Sequence, residues 1–212
     1  DEIVSTILEE VEKFKPQEPQ AASKQRFGLI DKPCVLFVGS LIPRKGLIFL
    51  VKAAKKIVKE QAETNFVIVG DGPLRSKLVS SLESNNLSSN FILLSKVKDA
   101  DLPALYNCSD VFVLPSIQEG QGIVLLEAQA SAKPVVAFNI GGVNEAVVNG
   151  ETGLLAKLGS TDELAEALLK LLSDKPLREK MGANGRKFVT ENFTWDLCAE
   201  RMLAVYREAL AT

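Results

Sequence analysis

The feature that most constrains the fold of this chain is a regular alternation of short apolar runs and amphipathic helical stretches. The runs are nearly continuous in Val, Ile, Leu and Phe, which is typical of strands covered on both faces and therefore of a parallel sheet. They are VLFVG (35–39), FVIVG (66–70), FILLS (91–95), VFVLP (111–115), PVVAF (134–138) and the shorter GLLAK (153–157). Helical patterns lie between them, over 47–60, 73–84, 101–108, 122–132 and 143–148. This order predicts an α/β fold with an open, doubly wound parallel sheet of about six strands and helices on both faces.

Both ends of the chain depart from this alternation. Three further helices are predicted after the last strand, over 161–173, 176–190 and 195–210, with starts marked by Ser160, Pro176 and Thr194. The first residues, DEIVSTILEEVEKFK, space Ile3, Ile7, Val11 and Phe14 as a helix does, and the polar stretch PQEPQAASKQ that follows predicts a linker. We therefore predict a helix and linker over 1–30 and one α/β domain over 31–212.

Composition excludes several classes of function. A net charge of −2 without a basic cluster gives no face for nucleic acid, so no nucleic-acid partner is expected. The chain contains no histidine, which excludes a Ser–His–Asp triad or a histidine metal site built from this chain alone. The scattered Cys34, Cys108 and Cys198 are expected to be small core residues. Without a signal-peptide pattern or a long apolar run, we expect a cytoplasmic protein of a reducing compartment.

Ligands of an open parallel sheet bind beyond the carboxyl ends of its strands, so the loops after the apolar runs are the candidate sites. The loop GSLIPRKG (39–46) places Arg44 and Lys45 at a predicted helix start, where the helix dipole and free N–H groups favour an anion. The alternative is that both cations only solvate a turn. The loop GDGP (70–73) is predicted to be a turn, and NIGG (139–142) either packs closely or borders the site.

A third loop carries a DxD sequence, Asp99–Ala100–Asp101, which in one class of glycosyltransferases holds a divalent metal. Asp101 followed by Pro103 is also typical of a helix N-terminus. Because no acidic partner lies nearby in sequence, we predict a helix cap here and no metal site.

The loop SIQEGQG (116–122) and the helix after it hold two glutamates, Glu119 and Glu127. Gly120 and Gly122 permit unusual backbone angles and a close approach of ligand, so consecutive N–H groups there can cradle a phosphate. Carboxylates repel a diphosphate, and their natural partners are vicinal hydroxyls such as those of ribose or a sugar ring. Since Glu127 lies in an apolar segment, a purely solvated role is disfavoured.

Together, four stretches of the chain resemble the C-terminal half of retaining glycosyltransferases of family four, the group 1 glycosyltransferases of GT-B fold. They are VLFVGSLIPRKG, FVIVGDGPL, VFVLPSIQEGQGIVLLEAQASAKPVV and NIGGVNEAVVNGETGLLA. The resemblance covers about 33–210, and its most specific part is the pair of glutamates separated by seven residues. It implies a Rossmann-like domain that binds a nucleoside-diphosphate sugar, needs no metal or other cofactor, and faces an N-terminal acceptor domain that this sequence does not contain.

The resemblance also implies roles for individual residues. Lys45 would neutralise the departing diphosphate, Glu119 would hold the donor sugar as the second catalytic residue, and Glu127 would bind the ribose. The base would lie against Lys96 and Val97. The remaining donor-binding positions follow the first and fourth strands: Gly39, Ser40, Arg44, Gly120, Gln121, Gly122, Ile123 and Val124.

Two positions depart from the family pattern. Ser40 stands where an arginine usually follows the strand glycine, and Arg44 is a candidate to replace it; Gln121 stands where an aromatic residue is usual. The whole protein is expected to be a hexosyltransferase, and the fragment alone is expected to be inactive. The predicted partners are a nucleotide-sugar donor and the N-terminal domain. Residues 195–210 would pack against that domain, and any contact with a membrane would be made only by that domain. The alternatives are a non-catalytic scaffold that kept the fold and a GT-B sugar-nucleotide epimerase.

Overall fold

The protein is described from a computed structural model that covers residues 11–16, 18–29, 32–95, 97–193 and 195–210. Its centre is a six-stranded parallel sheet with the order β3-β2-β1-β4-β5-β6. The strands are β1 (Cys34–Val38), β2 (Asn65–Val69), β3 (Phe91–Leu94), β4 (Val111–Leu114), β5 (Val135–Phe138) and β6 (Gly153–Ala156). The predicted α/β, Rossmann-like class and the six predicted strands are thereby confirmed, with strand ends differing by a residue.

Except for the first of them, the helices lie where the 3.6-residue periodicity predicts them. They are α1 (Gln20–Arg26), α2 (Leu47–Glu60), α3 (Arg75–Ser84), α4 (Leu102–Cys108), α5 (Ile123–Ala130), α6 (Val143–Ala146), α7 (Thr161–Ser173), α8 (Lys175–Asn192) and α9 (Trp195–Leu210). Ser160 caps α7 as predicted, because its hydroxyl accepts from the Glu163 N–H at 3.3 Å. The start of α8 lies one residue before Pro176 and is capped by Asp174. The predicted cap Thr194 lies outside the described residues.

The core lies on both sides of the sheet. All residues of β2, β4 and β5 are buried, as continuous apolar strands require when helices cover both faces. Helix α2 buries Leu50, Ala54 and Ile57 and exposes its lysines, so its apolar stripe faces the core. Within the described residues, no helix is long and apolar enough to cross a membrane.

The stretch predicted as a linker, PQEPQAASKQ, is partly helical, so that prediction was wrong for α1. This helix has no apolar stripe, and its position depends on polar contacts with buried Asp110. The Oδ2 atom of Asp110 accepts from Lys24 Nζ at 2.7 Å and from the Cys34 N–H at 2.9 Å, and its Oδ1 accepts from Gln20 Nε2 at 3.2 Å. The domain therefore holds α1 against the amino ends of β1 and β4.

Cys34 and Cys108 are buried free thiols, which confirms their predicted place in the core. A hydrogen bond with Cys108 and burial keep the pKa of Cys34 well above its ordinary value, so the unreactive thiol form persists. The side chains of Cys198 and Trp195 lie outside the described part of the chain, as do residues 1–10 with Ile3 and Ile7.

Candidate functional site

The strand order reverses between β1 and β4, and ligands of doubly wound sheets bind in the crevice at such a reversal. These two strands pair only at Val35↔Val111 and Leu36↔Phe112, and the chains then separate. The loops that follow them, 39–46 and 115–122, face one another across the gap. They are joined where the Ile117 N–H donates to the Arg44 carbonyl at 2.8 Å. The fold therefore brings together the two loops with the most chemically distinctive residues.

Lys45 and Glu119 form an ion pair between these loops. Lys45 Nζ lies 2.5 Å from Glu119 Oε2, and the two side chains are 12% and 11% exposed. The Ser116 hydroxyl donates to the same carboxylate oxygen at 3.2 Å. An ammonium and a carboxylate of opposite charge, 74 positions apart in sequence, are thus held together at the mouth of the crevice.

The pair borders an open cavity of about 270 Å³. Its lining consists of side chains and backbone from the two loops and the start of α5: Lys45, Glu119, Gln121, Gly122, Ile123 and Val124. Gly122 precedes α5 with φ of 73°, a left-handed conformation that glycine adopts without strain. The N–H groups of a helix's first turn have no intrahelical acceptor, so the cavity is favourable for an anion.

The loop after β5 supports this cavity from behind. A Cβ atom added to Gly142 would lie 1.3 Å from the Gly120 carbonyl oxygen, so the two loop backbones are in direct contact. Of the two interpretations left open for NIGG, the structure shows close packing. The loop 119–122 is consequently braced by a neighbouring loop.

Glu127 lies along α5, and it is not among the residues that line the cavity. Its Oε2 atom accepts from the Tyr106 hydroxyl of α4 at 2.6 Å. Burial, and secondarily the nearby Glu127 carboxylate, raise the pKa of Tyr106 well above its ordinary value. Tyr106 was missed by sequence reasoning, because nothing in the spacing of 101–108 indicates which residue of α5 it contacts.

The remaining predicted positions are placed as follows. Gly39 lies beside the aliphatic stem of Lys45. Ser40 and Arg44 are exposed and are not among the lining residues, so the structure does not bring Arg44 into the cavity to replace the usual arginine. Val97 packs half-buried against the core, and Lys96 lies outside the described residues.

A larger cavity, about 510 Å³, lies beside α4 and the N-terminal stretch. Cations from Lys13, Lys15 and Arg26 line it together with the carboxylates of Glu18 and Asp99. Arg26 pairs with Asp101, which occupies the N-cap position of α4 without capping it, so the predicted side-chain cap was wrong. We place the candidate site at the smaller cavity, because only that one combines the strand-order reversal with a helix start.

Across the described residues, no group of three or more Asp, Glu, Cys or His side chains is arranged to hold a metal ion. Asp99 and Asp101 of the DxD sequence belong to no such group, and Asp101 forms an ion pair with Arg26.

Comparison with known proteins gives a consistent family. The model of the family described as "Glycosyl transferases group 1" matches residues 20–188. The chain is 30% identical over 200 residues to an alpha-D-kanosaminyltransferase of Streptomyces kanamyceticus, covering 93% of this chain and 52% of that protein. It is 34% identical over 201 residues to a GDP-mannose-dependent alpha-(1-6)-phosphatidylinositol monomannoside mannosyltransferase of Mycobacterium tuberculosis, covering 91% of this chain and 52% of the relative.

A solved structure matches over nearly its whole length. The C-terminal domain of a group 1 glycosyl transferase from Francisella tularensis superimposes with a TM-score of 0.80 at 27% identity, covering 87% of this chain and 97% of that one. By contrast, the chain spans about half the length of the curated relatives it matches.

Proposed function

This chain belongs to the group 1 glycosyl transferases, and we propose that residues 31–212 bind the nucleoside-diphosphate sugar donor of a hexosyltransferase. The proposed reaction moves the sugar to an acceptor hydroxyl with retention of anomeric configuration. A relative whose name makes it GDP-mannose-dependent supports a nucleotide-sugar donor as the substrate class.

The observation that carries this proposal is the position of the Lys45–Glu119 pair beside the start of α5. In our proposal the diphosphate lies against the first-turn N–H groups near Gly122, and the Lys45 ammonium donates hydrogen bonds to it. Glu119 accepts hydrogen bonds from hydroxyls of the sugar. Each group of the ion pair then exchanges its present partner for a ligand group of the appropriate charge. Stabilising negative charge on the leaving diphosphate is the largest contribution available to such a site.

We also propose that this charge is neutralised by Lys45 and the helix start without a metal ion or other cofactor. The departures at Ser40 and Gln121 leave the donor sugar to be recognised mainly by Glu119. Buried free cysteines are typical of proteins in reducing compartments, which supports a cytoplasmic location.

The acceptor is proposed to bind a second, N-terminal domain, since the chain spans half of its relatives. Helix α9 offers the matching surface. Among the side chains of this helix that the structure describes, five large apolar ones are each more than half exposed: Met202, Leu203, Val205, Tyr206 and Leu210. Exposed apolar area of this kind marks an interaction site, and we propose that the N-terminal domain covers it.

Calorimetry with UDP, GDP and ADP tests the donor site directly. We expect one of them to bind the 212-residue chain weakly. Lys45→Ala should weaken that binding at least tenfold, because a charge-assisted contact is lost. Glu127→Ala should weaken it as well, because we propose that Glu127 binds the ribose. Lys52→Ala is the matched control, because it removes an exposed lysine of α2 that does not line the cavity. Absence of binding by all three nucleotides, or equal affinity of the Lys45→Ala and unmodified chains, contradicts the proposal.

A further inference from the structure

Tyr106 occupies an unusual place for a tyrosine of the core, because its ring is fully buried while its hydroxyl donates to Glu127, the carboxylate that we propose binds the ribose of the donor. We infer that Tyr106 is a positioning residue that orients Glu127 for the ribose diol of the donor. This inference rests on the proposed function and adds a residue that touches no ligand.

The ring of Tyr106 is fixed from two directions. It meets Phe14 of the N-terminal stretch edge-on, with ring centroids 5.3 Å apart and planes at 88°. It packs against Phe112 of β4 at 5.5 Å with planes tilted by 38°. Edge-to-face and tilted contacts of this kind hold aromatic side chains in one orientation. The hydroxyl is therefore presented at a defined point.

The bond between this hydroxyl and Glu127 is short and charge-assisted, at 2.6 Å between Tyr106 Oη and Glu127 Oε2. Burial opposes ionisation of the phenol, so the hydroxyl remains a donor throughout the physiological pH range. A glutamate on a helix has rotatable χ angles, and a vicinal diol is recognised only when both carboxylate oxygens point correctly. Fixing one oxygen lowers the conformational cost of receiving the diol.

The inference predicts a specific signature in binding. Removing the Tyr106 hydroxyl will reduce the advantage of ribonucleotides over deoxynucleotides, since only the diol contact depends on the orientation of Glu127. A merely structural role would lower stability without changing that ratio. The supporting ring Phe14 should act in the same direction, more weakly.

The test compares the tightest-binding of UDP, GDP and ADP with its 2′-deoxy and 2′,3′-dideoxy forms by calorimetry. For the unmodified chain we expect the ribose form to bind about tenfold more tightly than the dideoxy form, as expected for a lost hydrogen bond to a charged group. For Tyr106→Phe we expect the ratio to fall to about threefold or less, with the ring packing preserved. Ser116→Ala is the matched hydroxyl deletion at the other glutamate, and it should leave the ratio unchanged.

The outcomes separate the two claims. If no nucleotide binds the unmodified chain, the proposed function fails. If the ribonucleotide binds but the unmodified chain shows no diol preference, or Tyr106→Phe keeps the full preference, the positioning role is overturned while the donor site stands. Thermal unfolding monitors each variant, and if Tyr106→Phe does not fold, Phe14→Leu carries the same comparison by loosening the ring without removing the hydroxyl.

Discussion

If Lys45 and Glu119 act as a pair, their effects on the free energy of unfolding should be coupled, whereas two independent surface charges would not be. We expect Lys45→Met and Glu119→Gln each to lower the free energy of unfolding, because each leaves the other side chain without its oppositely charged partner at about one tenth exposure. The double variant should be no less stable than either single variant. The coupling between the two positions is thus the quantity to measure.

The magnitude follows from the geometry. Two unit charges 2.5 Å apart attract by about 7 kcal/mol at an effective dielectric constant near 20. Dehydrating both groups cancels most of that attraction, and the cavity beside them is open to water, so we expect a coupling free energy of about 2 kcal/mol. An exposed pair would couple by less than about 1 kcal/mol.

The two single variants should change the affinity for a nucleoside diphosphate in opposite directions. Lys45→Met removes the cation that faces the diphosphate, so affinity for the free nucleoside diphosphate should fall. Glu119→Gln removes the competing carboxylate and releases the ammonium, so the same affinity should rise about tenfold, corresponding to about 1.4 kcal/mol. The sugar nucleotide should gain less, since it loses a hydroxyl acceptor.

Urea unfolding followed by circular dichroism provides the four stabilities of the cycle, and calorimetry provides the four affinities. Additive stability losses within about 0.5 kcal/mol would show that the pair is not coupled. A Glu119→Gln variant that loses diphosphate affinity as Lys45→Met does would refute the assigned charges of the site.

Two further predictions concern the scaffold. Gly142→Ala should destabilise the chain by about 2 kcal/mol or more and weaken nucleotide binding, because the added Cβ meets the Gly120 carbonyl. Gly120→Ala is the control, because its Cβ meets nothing within 4 Å. It should change the free energy of unfolding by under about 0.5 kcal/mol in the same urea titration. Lys133 is 8% exposed, and burial lowers its pKa to about 8, against 10.5 ordinarily. Between these pH values the unfolded chain binds more protons than the folded one, so unfolding free energy should rise with pH by up to about 3 kcal/mol relative to Lys133→Met. Parallel pH profiles of the two proteins would contradict that pKa.

The sequence predicted some elements closely because one local pattern determines them. The spacing of apolar residues and lysines predicts a helix over 47–60, and α2 has these bounds. The ends of continuous apolar runs likewise locate the loops after β1 and β4. Polar α1 has no such stripe, and its helical form depends on contacts such as that of Lys24 with Asp110, which lie 86 residues apart. Likewise, Tyr106 and Glu127 belong to different helices, and their contact depends on how α4 and α5 pack. The pairing of Arg26 with Asp101 replaced a predicted cap for the same reason.

The ion pair at the crevice has a consequence for small anions. An unpartnered ammonium beside a helix start would attract chloride or inorganic phosphate, whereas here the carboxylate of Glu119 serves as a resident counter-ion. Only a ligand that supplies both hydroxyl donors and phosphate oxygens satisfies the two groups at once when they separate. In our proposal the charges of Lys45 and Glu119 therefore neutralise one another, and the site discriminates by requiring two chemistries in one molecule.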